Sequence, residues 1–286
     1  MILFVILKIF GKLPWWLINV WAYISYIFLY YIISYRKKVV HENLKNAFPE
    51  KSDSERKIIE NKFYKNLCEI IFETLKIQYI TKEELSEKIN ITDSYLAVEE
   101  YLNKKQSVII VMGHQGNWEL IGAAFSAKIP QIIKSVYYPQ NNEKINHWLL
   151  KLRSKFGNEM YSSKDVLRKM ISNKSNCTLN AFIADQTPSY DQCLWTTFLH
   201  QNTLFFMGPE KLAKKFNYPV FFAQTLKTSK NHYIVNFYEI CDKPSETEDE
   251  FITKKFIEYL EQSINYQPET WLWSHKRWKR KQKSII

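Results

Sequence analysis

Cysteine is scarce and scattered in this 286-residue chain: Cys68, Cys177, Cys193 and Cys241 share no close spacing. That excludes a CxxC metal or redox motif and a disulfide scaffold, and it suits a reducing compartment. Histidine is also sparse. No second His stands four residues from His114, and His147, His200, His232 and His275 lie in unrelated contexts, so zinc-hydrolase spacing is missing. No metal and no organic cofactor are expected. Internal repeats are lacking too, which leaves one substantial core with a short appendage.

Charge is missing from one long run. After Lys8 and Lys12 come twenty-three uncharged residues, Leu13 to Tyr35, long enough to span a bilayer. Trp15, Trp16 and Trp21 at one end and Tyr30, Tyr31 and Tyr35 at the other are placed like interfacial aromatic belts. Arg36, Lys37 and Lys38 follow, which puts the downstream body on the cytoplasmic side of a spanning segment. No small-residue cleavage site is present, and the run is too long for a signal peptide. The chain therefore divides into an N-terminal membrane anchor, 1–38, and a folded domain, 39–286. A buried core helix or one lying in the interface stays open, the latter favoured by Pro14 and Asn19. The net charge of +11 calls for an anionic partner: nucleic acid, anionic headgroups or an acidic carrier protein.

Ser52 to Glu55 has the spacing of a capping box, and Ile59, Phe63, Leu67, Ile70, Ile71 and Leu75 continue at helical spacing. That places His41 and Cys68 in packing. Val108 to Met112 shows no polar alternation and reads as a strand covered on both faces. Strands are then predicted over 131–138, 178–184, 219–226 and 232–240, the last two as a hairpin, and helices over 142–156, 164–171 and 251–264. Alternating strand and helix implies an α/β domain, its central sheet mostly parallel and flanked by helices, preceded by the membrane helix.

Between the first strand and its helix lies His114-Gln115-Gly116-Asn117-Trp118-Glu119. On a continuous helix His114 and Glu119 would point about 140° apart. Gly113 and Gly116 supply the backbone freedom to fold the imidazole back onto the carboxylate. A His held by a Glu is a general base for a hydroxyl or amine nucleophile, and with no Ser or Cys beside it direct transfer is expected. Against this stands the plainer reading of a loop histidine and a helix-dipole carboxylate.

The string resembles the GHxGNWE motif of the lipid A biosynthesis acyltransferases, the bacterial lauroyl/myristoyl acyltransferase family. Tyr138-Pro139 with Asn142, Arg153 and Gly157 in LRSKFG, Asp185-Gln186 after a strand, the FFMGPEKLAKK run Phe205 to Lys215, and a tail with Trp271, Trp273, His275, Arg277, Trp278 and Lys279 extend the likeness in order along most of the chain. The resemblance implies a glycerol-phosphate-acyltransferase-like fold. It makes His114 the base and Glu119 its orienting partner, both catalytic, with Asn117, Arg153, Asp185 and Gln186 binding substrate. Arg153 would meet a donor or headgroup phosphate through its forked guanidinium, the plainer alternative being a solvated helix charge, and for Asp185 a loop cap. The implied reaction moves a fatty acyl group from an acyl carrier protein or coenzyme A thioester to a hydroxyl of a membrane glycolipid at the inner membrane. The tryptophan and lysine tail is expected to face headgroups rather than nucleic acid.

Two rivals remain. Nothing in the motif names the acceptor, so an amino-acid lipid or a lysophospholipid is possible chemistry. A basic, aromatic-rich, non-catalytic membrane-anchored binding protein would show no transfer at all. The glycerol-phosphate branch is disfavoured, since Phe48-Pro49-Glu50 precedes the His and is followed by Lys51.

Overall fold

The computed structural model describes residues 2–188 and 193–282. Four helices lead: α1 (Ile2–Lys12), α2 (Trp15–Ile27, prolonged by a π-helical turn Phe28–Ile32), α3 (Lys37–Ala47) and α4 (Asp53–Lys76). Then come α5 (Lys82–Lys88), β1 (Ile89–Ile91), α6 (Tyr95–Asn103), β2 (Val108–Met112), α7 (Trp118–Lys128), β3 (Ile132–Tyr137) and α8 (Glu143–Arg153). The chain continues through β4 (Glu159–Ser162), α9 (Val166–Ser172), β5 (Thr178–Ile183), the hairpin β6 (Cys193–Phe198) and β7 (Gln201–Phe206), α10 (Gly208–Phe216), β8 (Val220–Ser229), β9 (His232–Cys241) and α11 (Phe251–Tyr266).

Seven strands form one sheet in the order β1-β9-β8-β2-β5-β3-β4, and β6 and β7 form a separate ribbon. Every neighbouring pair in the large sheet is parallel except β8 with β9. β2 sits in the middle, and all five of its side chains are buried. Ile109 and Val111 enter one apolar layer with Phe182, Phe222 and Leu260; Val108, Ile110 and Met112 enter the other with Leu120, Phe125 and Phe221. Two covered faces explain why this strand shows no alternation. The α/β fold and the 220s–230s hairpin are as expected. The short strands β1 and β4 and the β6–β7 ribbon were not, because short half-buried segments carry little periodicity.

The capping box at Ser52 forms: its hydroxyl accepts from Glu55 N at 3.3 Å, while Glu55 accepts from Ser52 N at 2.7 Å. From that start α4 runs twenty-four residues and carries the N-terminal segment on its flank. α2 with its π turn is long and apolar enough to cross a membrane. It nevertheless buries a stripe at every fourth position, Ile18, Ala22, Tyr26 and Tyr30, in the domain core. Tyr30 donates to the buried Glu60 of α4 at 3.0 Å. The opposite face, including Trp16, Tyr23, Ile24, Ile27 and Tyr31, is exposed.

The tail departs from expectation. Trp271 and Trp273 are buried at 2% and 0% exposure, and Arg277 at 1%, so the indoles do not face headgroups. Each finds a polar partner inside: Trp271 Nε1 donates to Asp185, Trp273 Nε1 to Pro268 O, and Trp278 Nε1 to Thr203. Large amphipathic rings gain more from burial with a satisfied N–H than from the surface. Lys276, Lys279 and Lys281 stay outside, and Lys283, the tail's last cation, lies outside the described residues.

Candidate active site

Parallel pairing brings the site together. Met112 and Ile183 are register partners at the carboxyl ends of β2 and β5, where open α/β sheets place ligands. Two residues beyond each partner come His114 and Asp185, side by side. Asp185 Oδ1 lies 2.5 Å from His114 Nδ1, and Asp185 Oδ2 accepts from His114 N and Trp271 Nε1, both at 2.8 Å. Gly113 permits this approach, since a Cβ there would meet Asp185 Oδ2 at 3.3 Å and Leu260 at 2.5 Å.

Burial alone would raise the carboxyl of Asp185, but the charge of His114 and the bonds from His114 and Trp271 outweigh it and hold the pKa at about 2. An ionised Asp185 accepts a hydrogen bond from Nδ1–H, which keeps the proton on Nδ1 and leaves Nε2 as the acceptor. Gln186 Nε2 sits 3.2 Å from His114 Nε2, at hydrogen-bonding distance for an amide donor. Behind the pair, His275 accepts from Thr187 N at 3.2 Å, and its pKa is pushed down to about 4, burial outweighing the pull of Asp185.

The partnership expected between His114 and Glu119 is not the one the fold makes. Glu119 is in the first turn of α7, and the rings of Trp118 and His114 meet edge-to-face at 4.8 Å between centroids. Glu119 instead binds Arg153 at the end of α8 in a two-pronged pair, Nε to Oε2 at 2.8 Å and Nη2 to Oε1 at 2.5 Å. Burial works against the arginine's charge, but the bonds and charge of Glu119 prevail and raise its pKa. A sequence spacing of five could not choose between two acids when one arrives from a neighbouring strand.

Asn117, expected on substrate, is wholly buried. Its Oδ1 caps α7 by accepting from Leu120 N at 3.0 Å, and its Nδ2 donates to Glu73 of α4 at 2.8 Å. Glu73 also accepts from Asn231 at 2.9 Å and Tyr233 OH at 2.7 Å. This fully buried carboxylate ties the cap to α4 and β9, and its only sequence signal is an acid amid Ile70, Ile71, Phe72 and Leu75. Gly116 adopts φ +61, and its N–H donates to Thr270 O at 3.0 Å; Leu272 N donates to His114 O at 3.1 Å. The buried tail thus clamps the turn from the other side, a role unforeseen for Trp271.

His114, Glu119, Arg153 and Gln186 line one cavity of about 180 Å³ whose walls also include Met112, Phe125 and Met160. A base, an anchored cation and a recess with both apolar and polar walls therefore share one space, while Asp185 and Asn117 lie outside its lining.

A base–carboxylate pair beside a cavity at the carboxyl edge of a mostly parallel sheet gives this α/β protein its candidate active site. The chain belongs to the bacterial lipid A biosynthesis acyltransferase family, whose model matches residues 2–280. It is 24% identical over 153 residues to lipid A biosynthesis acyltransferase 2 of Shigella flexneri, a match covering 52% of this chain and 48% of that protein. The chain thus spans about half the length of that curated relative.

Proposed function

We propose that the protein is a membrane-associated acyltransferase that moves a fatty acyl group from an acyl carrier protein or coenzyme A thioester to a hydroxyl of a lipid A precursor. The observation that carries this reading is His114, held through Nδ1 by ionised Asp185 with Nε2 turned to Gln186 and the cavity. Nε2 takes the acceptor's hydroxyl proton, and the oxygen attacks the thioester carbonyl. The C–S bond breaks, and the leaving sulfur takes the proton back from the imidazolium. Asp185 keeps the tautomer and stabilises the transient cation, so its role is positioning rather than substrate binding. Gln186 yields its place at Nε2 to the acceptor and stays beside the reacting atoms.

Arg153 spends Nε and Nη2 on Glu119. Glu119 thereby fixes the guanidinium at the cavity, where it meets the donor's or acceptor's anionic group. The apolar walls suit the acyl chain.

The exposed apolar face of α2 supports membrane association; the inner membrane, with the catalytic body on the cytoplasmic side, completes the proposal. The charged groups packed against its inner face favour a helix lying in the interface: Lys37 and Lys57 sit over the Tyr30 ring at 4.1 and 5.0 Å, and Lys88 over Trp15 at 4.4 Å. A spanning orientation would carry such cations into hydrocarbon at roughly 2.5–3.5 kcal/mol each.

The test is acyl transfer from carrier-protein thioester, or coenzyme A thioester, to lipid A precursor by the purified chain in lipid. Transfer that disappears in His114→Ala supports the reading; transfer retained by that variant overturns the mechanism. An amino-acid lipid or lysophospholipid accepted in preference would correct the acceptor.

A further inference from the structure

A second cavity, of about 240 Å³, lies between α4, the end of β8 and the short segment 267–270 that contacts the histidine turn. Thr270, in the wall of this cleft, touches the histidine turn: its Oγ1 accepts from Gln115 Nε2 at 3.1 Å, and its carbonyl accepts from Gly116 N. The proposed mechanism uses none of the lining groups of this cleft.

Three cations line it, Lys62, Lys65 and Lys227, against the carboxylates of Glu69 and Glu269. Lys227 is committed, bonded to Glu69 and to Asn66 Oδ1. Lys62 and Lys65 are exposed and form no ion pair with a described residue. Asn66 adds a second kind of signal. It is 4% exposed, and while Oδ1 is satisfied by Lys227, Nδ2 is buried without a partner. An orphaned buried donor costs about 1–3 kcal/mol, so a ligand that accepts from it is favoured.

The surroundings select the anion. Lys65 lies 5.4 Å from the ring centroid of Tyr26, on the inner stripe of α2, so the cleft borders the helix whose outer face is apolar and exposed. Two ammonium groups one helical turn apart, with an amide donor below, match a compact dianion with several acceptor oxygens. A monoanionic diester would satisfy one lysine only.

We propose that this cleft binds the phosphate monoester of a lipid headgroup, resting on the reading of α2 as a membrane face. The anion sits at headgroup depth between Lys62 and Lys65, with an oxygen toward Asn66 Nδ2. The Gln115–Thr270 wall places it next to the turn that carries His114, so a headgroup held there orients the molecule at the membrane without entering the reaction cavity.

The experiment uses the full chain with two probes. Inorganic phosphate is titrated calorimetrically into protein in nonionic detergent, and flotation compares phosphatidylcholine vesicles containing phosphatidic acid with those containing phosphatidylglycerol at equal surface charge. Wild type is expected to bind phosphate and to prefer phosphatidic acid. Lys62→Ala with Lys65→Ala, both exposed positions, is expected to lose the phosphate heat and about 30-fold in affinity for phosphatidic acid vesicles, with no remaining preference. Asn66→Asp should lose the preference with both lysines present. Lys254→Ala with Lys255→Ala on α11 controls for bulk charge and should keep it. Equal binding of the two vesicle types by wild type with no phosphate heat, or a preference that survives the double substitution, overturns the site; phosphate heat without lipid preference overturns the lipid assignment. His114→Ala should keep the preference while losing acyl transfer. A chain that prefers phosphatidic acid yet transfers no acyl group leaves the cleft standing and removes the enzymatic reading.

Discussion

His114 and Asp185 stand 71 residues apart in sequence and 2.5 Å apart in space, because each follows by two residues a member of the Met112–Ile183 register pair. Glu119, only five residues from the histidine, belongs to a different pair with Arg153. Which carboxylate serves the base is thus a measurable matter of coupling. His114→Ala is expected to remove the general-base contribution of roughly 10²–10⁴-fold in kcat, and Asp185→Asn a comparable factor through the wrong tautomer. The double variant should be hardly worse than His114→Ala. Glu119→Ala should instead add its effect to that of His114→Ala and share it with Arg153→Ala, chiefly as a rise in KM. Double-variant kinetics at matched expression decide it: full coupling of Glu119 with His114 would return Glu119 to the base.

Acid should destabilise the fold in two windows. His275 is held neutral down to about pH 4 by burial, against an ordinary value of 6.5. Between those values the unfolded chain takes up a proton that the folded chain refuses, so stability falls as pH drops from 6.5 to 4. Asp185 works in the lower window: its folded pKa of about 2 lies below the ordinary 3.8, so its contribution, about 2 kcal/mol, is complete above 3.8 and lost as pH falls through 2. Denaturant midpoints measured against pH should show the upper slope flattened in His275→Gln. An unchanged slope would place the acid sensitivity elsewhere.

Glu73 meets three donors and is fully buried. Glu73→Gln presents an amide N–H to a site that already holds Asn117, Asn231 and Tyr233 as donors, leaving at least one buried group unpaired. A loss of about 1–3 kcal/mol is expected, read as a lowered thermal midpoint. Because the cap of α7 loosens with it, kcat should fall further than stability alone accounts for at a temperature where the variant is folded. Full activity in the folded variant would limit Glu73 to packing.

Gly122 lines the reaction cavity from α7, and a Cβ there would meet nothing within 4 Å. Gly122→Ala should therefore stabilise the helix, by up to about 1 kcal/mol. Gly122→Leu fills the recess and should shift preference toward shorter acyl donors, seen as a rise in KM for long chains in a donor series. An unaltered chain-length profile would put the acyl chain outside this cavity.

Replacing outward residues of α2, Trp16→Glu with Ile24→Glu, should release the protein from membranes with its fold intact, since both are exposed. Deleting the segment is a different experiment. It uncovers the α4 stripe that packs Ile18, Ala22 and Tyr26, and aggregation is the expected result. Persistence of the doubly substituted chain in salt-washed membranes would move the attachment to another surface.

Periodicity alone determined the buried strand Val108 to Met112, the capped helix beginning at Ser52 and the apolar run at 13–35, because each depends on neighbours a few residues away. The histidine turn was legible for the same reason: a strand end, two glycines and a helix start lie within one short stretch. Tertiary structure decided what each group touches. Parallel register brought Asp185 rather than Glu119 to His114, and α4 brought Glu73 under Asn117 from 44 positions away. Burial turned Trp271 and Trp273 inward although their spacing among lysines matches a headgroup surface equally well. Composition records that a side chain is amphipathic, but only the packed chain supplies the partner that satisfies its polar end.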